Sequence, residues 1–205
     1  MTTVSALDPE SIRERLRDGL AEEPAWYIGG DEARRQPPHG HLTPAAVLLA
    51  LLDRPAGPAL VLTERAAHLN AHGGQISLPG GRMEPDDVST VATALRESNE
   101  EIGLEPAAVE MLGSLRAYDT ITGFRIYPLV GWVAAPPASW RPDPAEVADV
   151  FEVPLDFVVD PANHRRDSYL RNGVRRHFFV LPYQNRYIWG ATAGILVNFA
   201  RTLSA

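Results

Sequence analysis

At 205 residues, with 45% apolar composition and a formal charge of −7, the chain can bury one sizeable core and is too acidic for a general nucleic-acid binder. It has no cysteine, which excludes disulfides, thiolate metal sites and a cysteine nucleophile. No run of about 18 apolar residues occurs and the first residues lack a signal-peptide core, so a cytoplasmic protein without membrane contact is expected.

Residues 6–25 read as an amphipathic helix, with Asp8 or Ser11 as cap and Ile12, Leu16 and Leu20 along one side. With the Gly-, Pro- and charge-rich loop of 27–43 it makes an accessory segment, 1–43, ahead of a main domain at 44–205. Two apolar runs between Pro44 and Arg65, separated by Arg-Pro-Ala-Gly, predict strand, turn and strand. A loop then enters a short strand at Gln75–Leu78 and a turn at Pro79-Gly80-Gly81. A helix is predicted over Asp87–Ile102, capped by Asp86, Asp87 or Ser89 and ended by Gly103.

Val88, Val91, Leu95, Ser98 and Ile102 form its core stripe, and Glu97, Glu100 and Glu101 are expected to share the opposite face. Three carboxylates so placed repel one another unless a cation sits among them. Mg²⁺ and Mn²⁺ prefer oxygen ligands, and such a cluster can hold one or two of these ions with a phosphate oxygen.

Further on, 109–119 and 124–134 read as strands about a turn at Thr122-Gly123, and 146–160 as a strand running into a short helix. Residues 168–183 form a hairpin with Asn172-Gly173 at its tip, and 187–203 are helical by pattern. The fold class expected is α/β or α+β. All 19 basic residues are arginine, which we ascribe to codon usage.

The stretch Arg96-Glu97-Ser98-Asn99-Glu100-Glu101-Ile102-Gly103-Leu104 resembles the second half of the Nudix box, with Ser98 in a usually aliphatic slot. The first half departs further. Five residues after Gly81 stands Asp87 where Glu is usual, and eight residues rather than seven separate Asp87 from Arg96. That expansion is similar to the coenzyme A pyrophosphatase branch of Nudix hydrolases. So is the upstream run Val61-Leu62-Thr63-Glu64-Arg65-Ala66, with Gly74 and Leu78-Pro79-Gly80-Gly81, although Asn70 stands where that branch has Arg and Leu78 where it has Phe.

The resemblance implies an α/β/α sandwich with a mixed sheet and a Mg²⁺- or Mn²⁺-dependent pyrophosphatase. It implies Glu97 and Glu101 as principal metal ligands, Glu100 as further ligand or base, the Gly81 carbonyl as ligand, and Arg96 as the residue that orients a glutamate. Glu146, outside the box, is the candidate general base, and Arg65, Asn70, Gly74, Gly80 and Arg82 would line the substrate site.

The substrate expected is a small nucleotide, coenzyme A or an acyl derivative first, with ADP-ribose or a dinucleotide as alternative and a non-catalytic nucleotide-binding domain as a third reading. A homodimer is compatible with all three. Other features take plainer readings: His68 and His72 as surface loop residues, Arg165, Arg166, Arg171, Arg175 and Arg176 as a solvated hairpin, Trp189–Gly194 as helix packing, and Asp119-Thr120 as a turn.

Overall fold

The computed structural model describes residues 7–21, 42–68, 73–171 and 173–204. In chain order the elements are helix α1 (Pro9–Ala21), strands β1 (Thr43–Leu52), β2 (Ala59–Arg65), β3 (Ile76–Ser77) and β4 (Gly80–Arg82), and helix α2 (Thr90–Ile102). Then come β5 (Glu110–Ser114), β6 (Tyr118–Asp119), β7 (Phe124–Val133), β8 (Val147–Pro154) and helix α3 (Leu155–Val159). A three-stranded unit of β9 (Arg165–Arg171), β10 (Val174–Tyr183) and β11 (Arg186–Trp189) leads into α4 (Gly190–Ser204).

The main sheet runs β3-β2-β1-β7-β5, with β4 also on β1, β6 on β7 and β8 on β2. It is mixed: β1 and β7 are parallel over their whole length, and the other pairs are antiparallel. From Pro44 to Leu52 the central strand β1 is apolar, as a strand covered on both faces requires. Ala46, Leu48, Ala50 and Leu52 join the core under α2 with Ala94, Ile102 and Leu104. Leu49 and Leu51 join the opposite core with Leu196 and Phe199 of α4. The result is the α/β/α sandwich expected.

Helix α1 starts where Asp8 accepts the amides of Glu10 and Ser11 through Oδ1, both at 3.0 Å. Its Ile12 and Leu16 are fully buried in the α4-side core, and Leu16 lies against Gly113 of β5. The expected loop of 27–43 lies mostly outside the described residues, as do Asn70, His72 and Asn172, and nothing is described of the Leu20 side chain.

Several expectations change. Gly80 and Gly81 belong to β4, antiparallel to β1, and are not a free turn. Gly80 has φ +147, and a Cβ there would fall 2.3 Å from the Ala46 carbonyl oxygen, so the strands approach as only glycine permits. Helix α2 begins at Thr90, with Ser89 accepting the Ala92 amide at 3.1 Å, and Val88 is 92% exposed, outside the core stripe. Residues 187–189, expected as helix, end strand β11, because Tyr187, Ile188 and Trp189 pair with Pro182, Leu181 and Val180, and the helix starts at Gly190, which takes a left-handed φ of +67.

Residues 109–119 divide into β5 and β6. Asp119 is a buried strand end whose carboxylate takes two hydrogen bonds from Arg125 at 2.8 and 2.9 Å, and only the segment after it turns. The hairpin register pairs Arg171 with Val174, and Gly173 takes φ +75. Among the described residues no helix is long and apolar enough to cross a membrane.

Candidate metal and phosphate site

The site is built where β4 passes the last turns of α2. Gly103, at φ +70, ends the helix and donates its amide to the Asn99 carbonyl. The final two carbonyls of the helix are taken by a neighbouring loop: Asp143 N donates to Glu101 O at 3.0 Å and Arg141 N to Ile102 O at 3.1 Å. Helix end, glycine strand and loop 141–146 are thereby fixed against one another.

The three glutamates do not share one open face. Glu101 is 3% exposed, Glu97 is largely buried at 16%, and Glu100 is 59% exposed. The helix places 97 and 101 one turn apart and turns 100 about 60° from 97 and about 100° from 101, so the packing of β4 sorts them by depth.

Each buried acid has its own partners. Glu101 accepts the Gly80 amide at 3.1 Å and faces the Arg65 guanidinium at 3.6 Å. Glu97 pairs with Arg96 at 3.0 Å. Gly81 lies so close to Glu97 that a Cβ at Gly81 would fall 2.4 Å from the carboxyl carbon. Arg96 is the hub: it meets Asp87 at 2.9 Å, Glu100 at 2.9 Å and the Arg82 carbonyl at 3.2 Å.

Burial pushes the Glu101 carboxyl up to about 7, against the Gly80 amide and Arg65, with Glu97 and Glu146 adding repulsion. Burial also raises Glu97; Arg96 opposes it, and Glu100 and Glu146 reinforce it. Asp87 moves the other way, held well below the usual carboxylate range by its hydrogen bonds from Arg96 and then by the Glu84 backbone. Arg96 is held protonated beyond its ordinary range by the same contact.

The sequence-selected residues thus largely converge. Glu146 lies close enough for its charge to act on both buried glutamates, and its carbonyl accepts the Ala66 amide at 2.8 Å, beside Arg65. Gly74, at φ +73, donates its amide to the Arg65 carbonyl at 2.9 Å, whereas Asn70 lies outside the described residues. Arg82 is exposed and stacks over the Phe124 ring, 5.2 Å from its centroid. His68 is exposed and meets the Ala145 carbonyl at 3.1 Å.

Two contributors were not foreseen. Phe124 carries no local signal, whereas Asp143 precedes Pro144, a pairing that favours a tight turn.

Among the described residues, no three Asp, Glu or His side chains are arranged as a ready-made ion cage. The donor set still fits a hard divalent cation. Glu97 and Glu101 supply oxygens one turn apart, the Gly81 backbone lies against one of them, and burial has raised both acids, a cost that a cation relieves. Glu100, at the surface, can reorient at little cost.

The family description "NUDIX domain" matches residues 42–172. A relative from Salmonella paratyphi B described as "Uncharacterized Nudix hydrolase NudL" is 40% identical over 156 residues, 76% of this chain and 80% of that protein. A relative of the same description from Salmonella newport matches equally. The crystal structure of a MutT/nudix family protein from Enterococcus faecalis gives a TM-score of 0.51 at 17% identity, over 98% of this chain and 76% of that one, a likeness of fold alone.

Proposed function

The chain belongs to the NUDIX family and is a hydrolase of pyrophosphate bonds in small nucleotides; from this premise we propose that it cleaves coenzyme A or an acyl derivative to 3′-phospho-AMP and 4′-phosphopantetheine. The observation that carries the chemistry is the buried Glu97 and Glu101 pair set against the Gly80-Gly81 backbone. Support for the substrate comes from the run Val61–Ala66 with Gly74 and Leu78–Gly81, similar to the coenzyme A branch, and from the eight-residue interval between Asp87 and Arg96.

In this reading Glu97 and Glu101 hold Mg²⁺ or Mn²⁺, with Glu100 and the Gly81 carbonyl as further ligands. The ion supplies charge neutralisation at the diphosphate and lowers the pKa of water in the site. The Gly80 amide fixes one Glu101 oxygen, and Arg96 fixes the Glu97 rotamer. Arg65, beside Glu101, and Arg82, at the end of the glycine strand, offer guanidinium groups to phosphate oxygens. Glu146 accepts the proton of the attacking water as its oxygen bonds to phosphorus. The bridging P–O bond breaks and the leaving phosphate departs with that electron pair.

Purified protein with Mg²⁺ or Mn²⁺ is incubated with coenzyme A, ADP-ribose, NADH and nucleoside triphosphates, and the products are separated. Release of 3′-phospho-AMP and 4′-phosphopantetheine from coenzyme A at the highest kcat/KM supports the substrate. Intact coenzyme A beside cleaved ADP-ribose or NADH overturns it and leaves the hydrolase. That second outcome has its own motive in Asn70, which removes a phosphate-binding cation that the related signature carries.

A further inference from the structure

The loop 141–146 has a geometry that its role as a connector does not require. Asp143 joins two acids through its own peptide groups: its amide donates to the Glu101 carbonyl at 3.0 Å, and its carbonyl accepts the Glu146 amide at 3.0 Å. The same carbonyl also accepts the Val147 amide at 2.8 Å, at the first residue of β8. Its side chain closes the turn, with Oδ1 accepting the Ala145 amide at 2.9 Å. Asp followed by Pro suits this turn, because the carboxylate replaces a backbone acceptor and proline presets φ.

The turn is also held from the β2 side. The Glu146 carbonyl takes the Ala66 amide at 2.8 Å, and His68 Nε2 lies 3.1 Å from the Ala145 carbonyl. Both backbone groups of Glu146 are therefore committed, although the residue itself is exposed. An exposed glutamate on an ordinary loop samples many positions, whereas this one starts from a fixed backbone beside Glu97 and Glu101.

We propose that Asp143 is a positioning residue, whose side-chain-closed turn sets the distance between the general base Glu146 and the metal-binding Glu101. The proposal rests on the base role given to Glu146 above. Asp143 itself does no chemistry on the substrate. The acceptor that closes the turn needs an oxygen at the γ position and no charge, so asparagine can replace it.

The test is a cycle of four variants of the full chain, D143A, D143N, E146Q and the D143A/E146Q double variant, assayed at saturating Mn²⁺ on whichever nucleotide the wild type cleaves best. D143A is expected to lower kcat about tenfold or more with KM changed less than about threefold, the range for a misplaced catalytic group. D143N is expected to keep at least about half of the wild-type kcat. In the E146Q background, D143A is expected to cost nothing further, because the residue it positions has already been disabled.

Thermal melts show whether D143A is folded; should it not be, the comparison of D143N with the wild type and the pH profile of its kcat carry the test. D143N falling as far as D143A, or an equal loss from D143A in the E146Q background, overturns the positioning role while leaving Glu146 as base. Wild-type turnover by E146Q removes the base role, and the proposal with it.

Discussion

Arg96 reaches back to Asp87 through two parallel hydrogen bonds, Nε to Oδ1 at 3.1 Å and Nη2 to Oδ2 at 2.9 Å. The eight residues between them span the capping turn at Ser89 and the first two turns of α2, so the pair ties the stretch before the helix to its middle. Asp87 also accepts the Thr93 hydroxyl and the Glu84 amide, which makes it the anchor of the turn leaving β4.

Breaking this pair should cost stability and precision together. Arg96→Ala unpairs Asp87, Glu97 and Glu100 at once, and a loss of about 1–3 kcal/mol is expected, with lower turnover. Arg96→Lys should recover little of it, since an ammonium cannot form the fork. Because Asp87 titrates below its unfolded value, its contribution is complete above the ordinary carboxylate range and is lost as pH falls through the lowered one. Urea unfolding of wild type and Asp87→Asn from pH 7 to pH 2.5 checks this: the wild-type advantage should shrink toward acid, and a constant gap contradicts it.

Glu101 gives the opposite slope. Its carboxyl rises from the ordinary 4.5 to about 7 in the folded chain, so the folded state holds the proton more tightly and metal-free stability is greatest below 4.5 and declines up to about 7. The decline is on the order of 3 kcal/mol, and Glu101→Gln should abolish it. Unfolding in chelator across pH 4.5 to 8 measures the slope. Mn²⁺ should bind more tightly at pH 8 than at pH 6 and release a proton at pH 6, which calorimetry in two buffers of different ionisation enthalpy detects. Equal slopes for wild type and Glu101→Gln would remove this assignment.

The two adjacent glycines should fail in different ways when given a methyl group. At Gly80 the obstacle is the Ala46 carbonyl at 2.3 Å together with φ +147, so Gly80→Ala should unfold or strongly destabilise the chain, by about 3 kcal/mol or more. At Gly81 the obstacle is the Glu97 carboxylate, the end of a flexible side chain. Gly81→Ala should therefore keep its melting temperature within a few degrees and lose metal affinity and turnover at least tenfold. Melting curves beside Mn²⁺ titrations distinguish the two.

Helix α1 should behave as part of the core. Leu16 and Ile12 are fully buried, and Leu16→Ala should cost about 2–4 kcal/mol in denaturant unfolding. Retained kcat in the folded fraction is expected, since α1 packs on β5 and α4, in the core on the side of the sheet away from α2. A cost under about 1 kcal/mol would mean that α1 is an appendage.

Arg82 should act on binding more than on chemistry. Its guanidinium over Phe124 sits beside the glycine strand, and Arg82→Ala is expected to raise KM about tenfold with little change in kcat. Phe124→Leu, which removes the ring support and leaves the charge, should raise KM by a smaller factor. A fall in kcat at unchanged KM would assign Arg82 to the transition state instead.

Much of this was legible in the chain. The apolar run of β1 announced a strand, Asn172-Gly173 announced a hairpin, and Gly103 announced the end of α2. These signals are local: side-chain period, turn chemistry and the freedom of glycine act over a few residues. The approximate location of the site was equally local, since three glutamates, an arginine and two glycines fall within one short stretch.

What only the tertiary structure decided is which of those acids is buried and which neighbours hold it. Helical spacing put Glu97, Glu100 and Glu101 together, but the close approach of β4 to β1, and of both to α2, drove Glu101 into the interior and left Glu100 outside. The same packing brought Arg65, Asp143 and Glu146 from distant segments to the end of the helix. Burial and charge–charge coupling depend on distances across the chain, and the order of residues along it carries no record of them until the layers are packed.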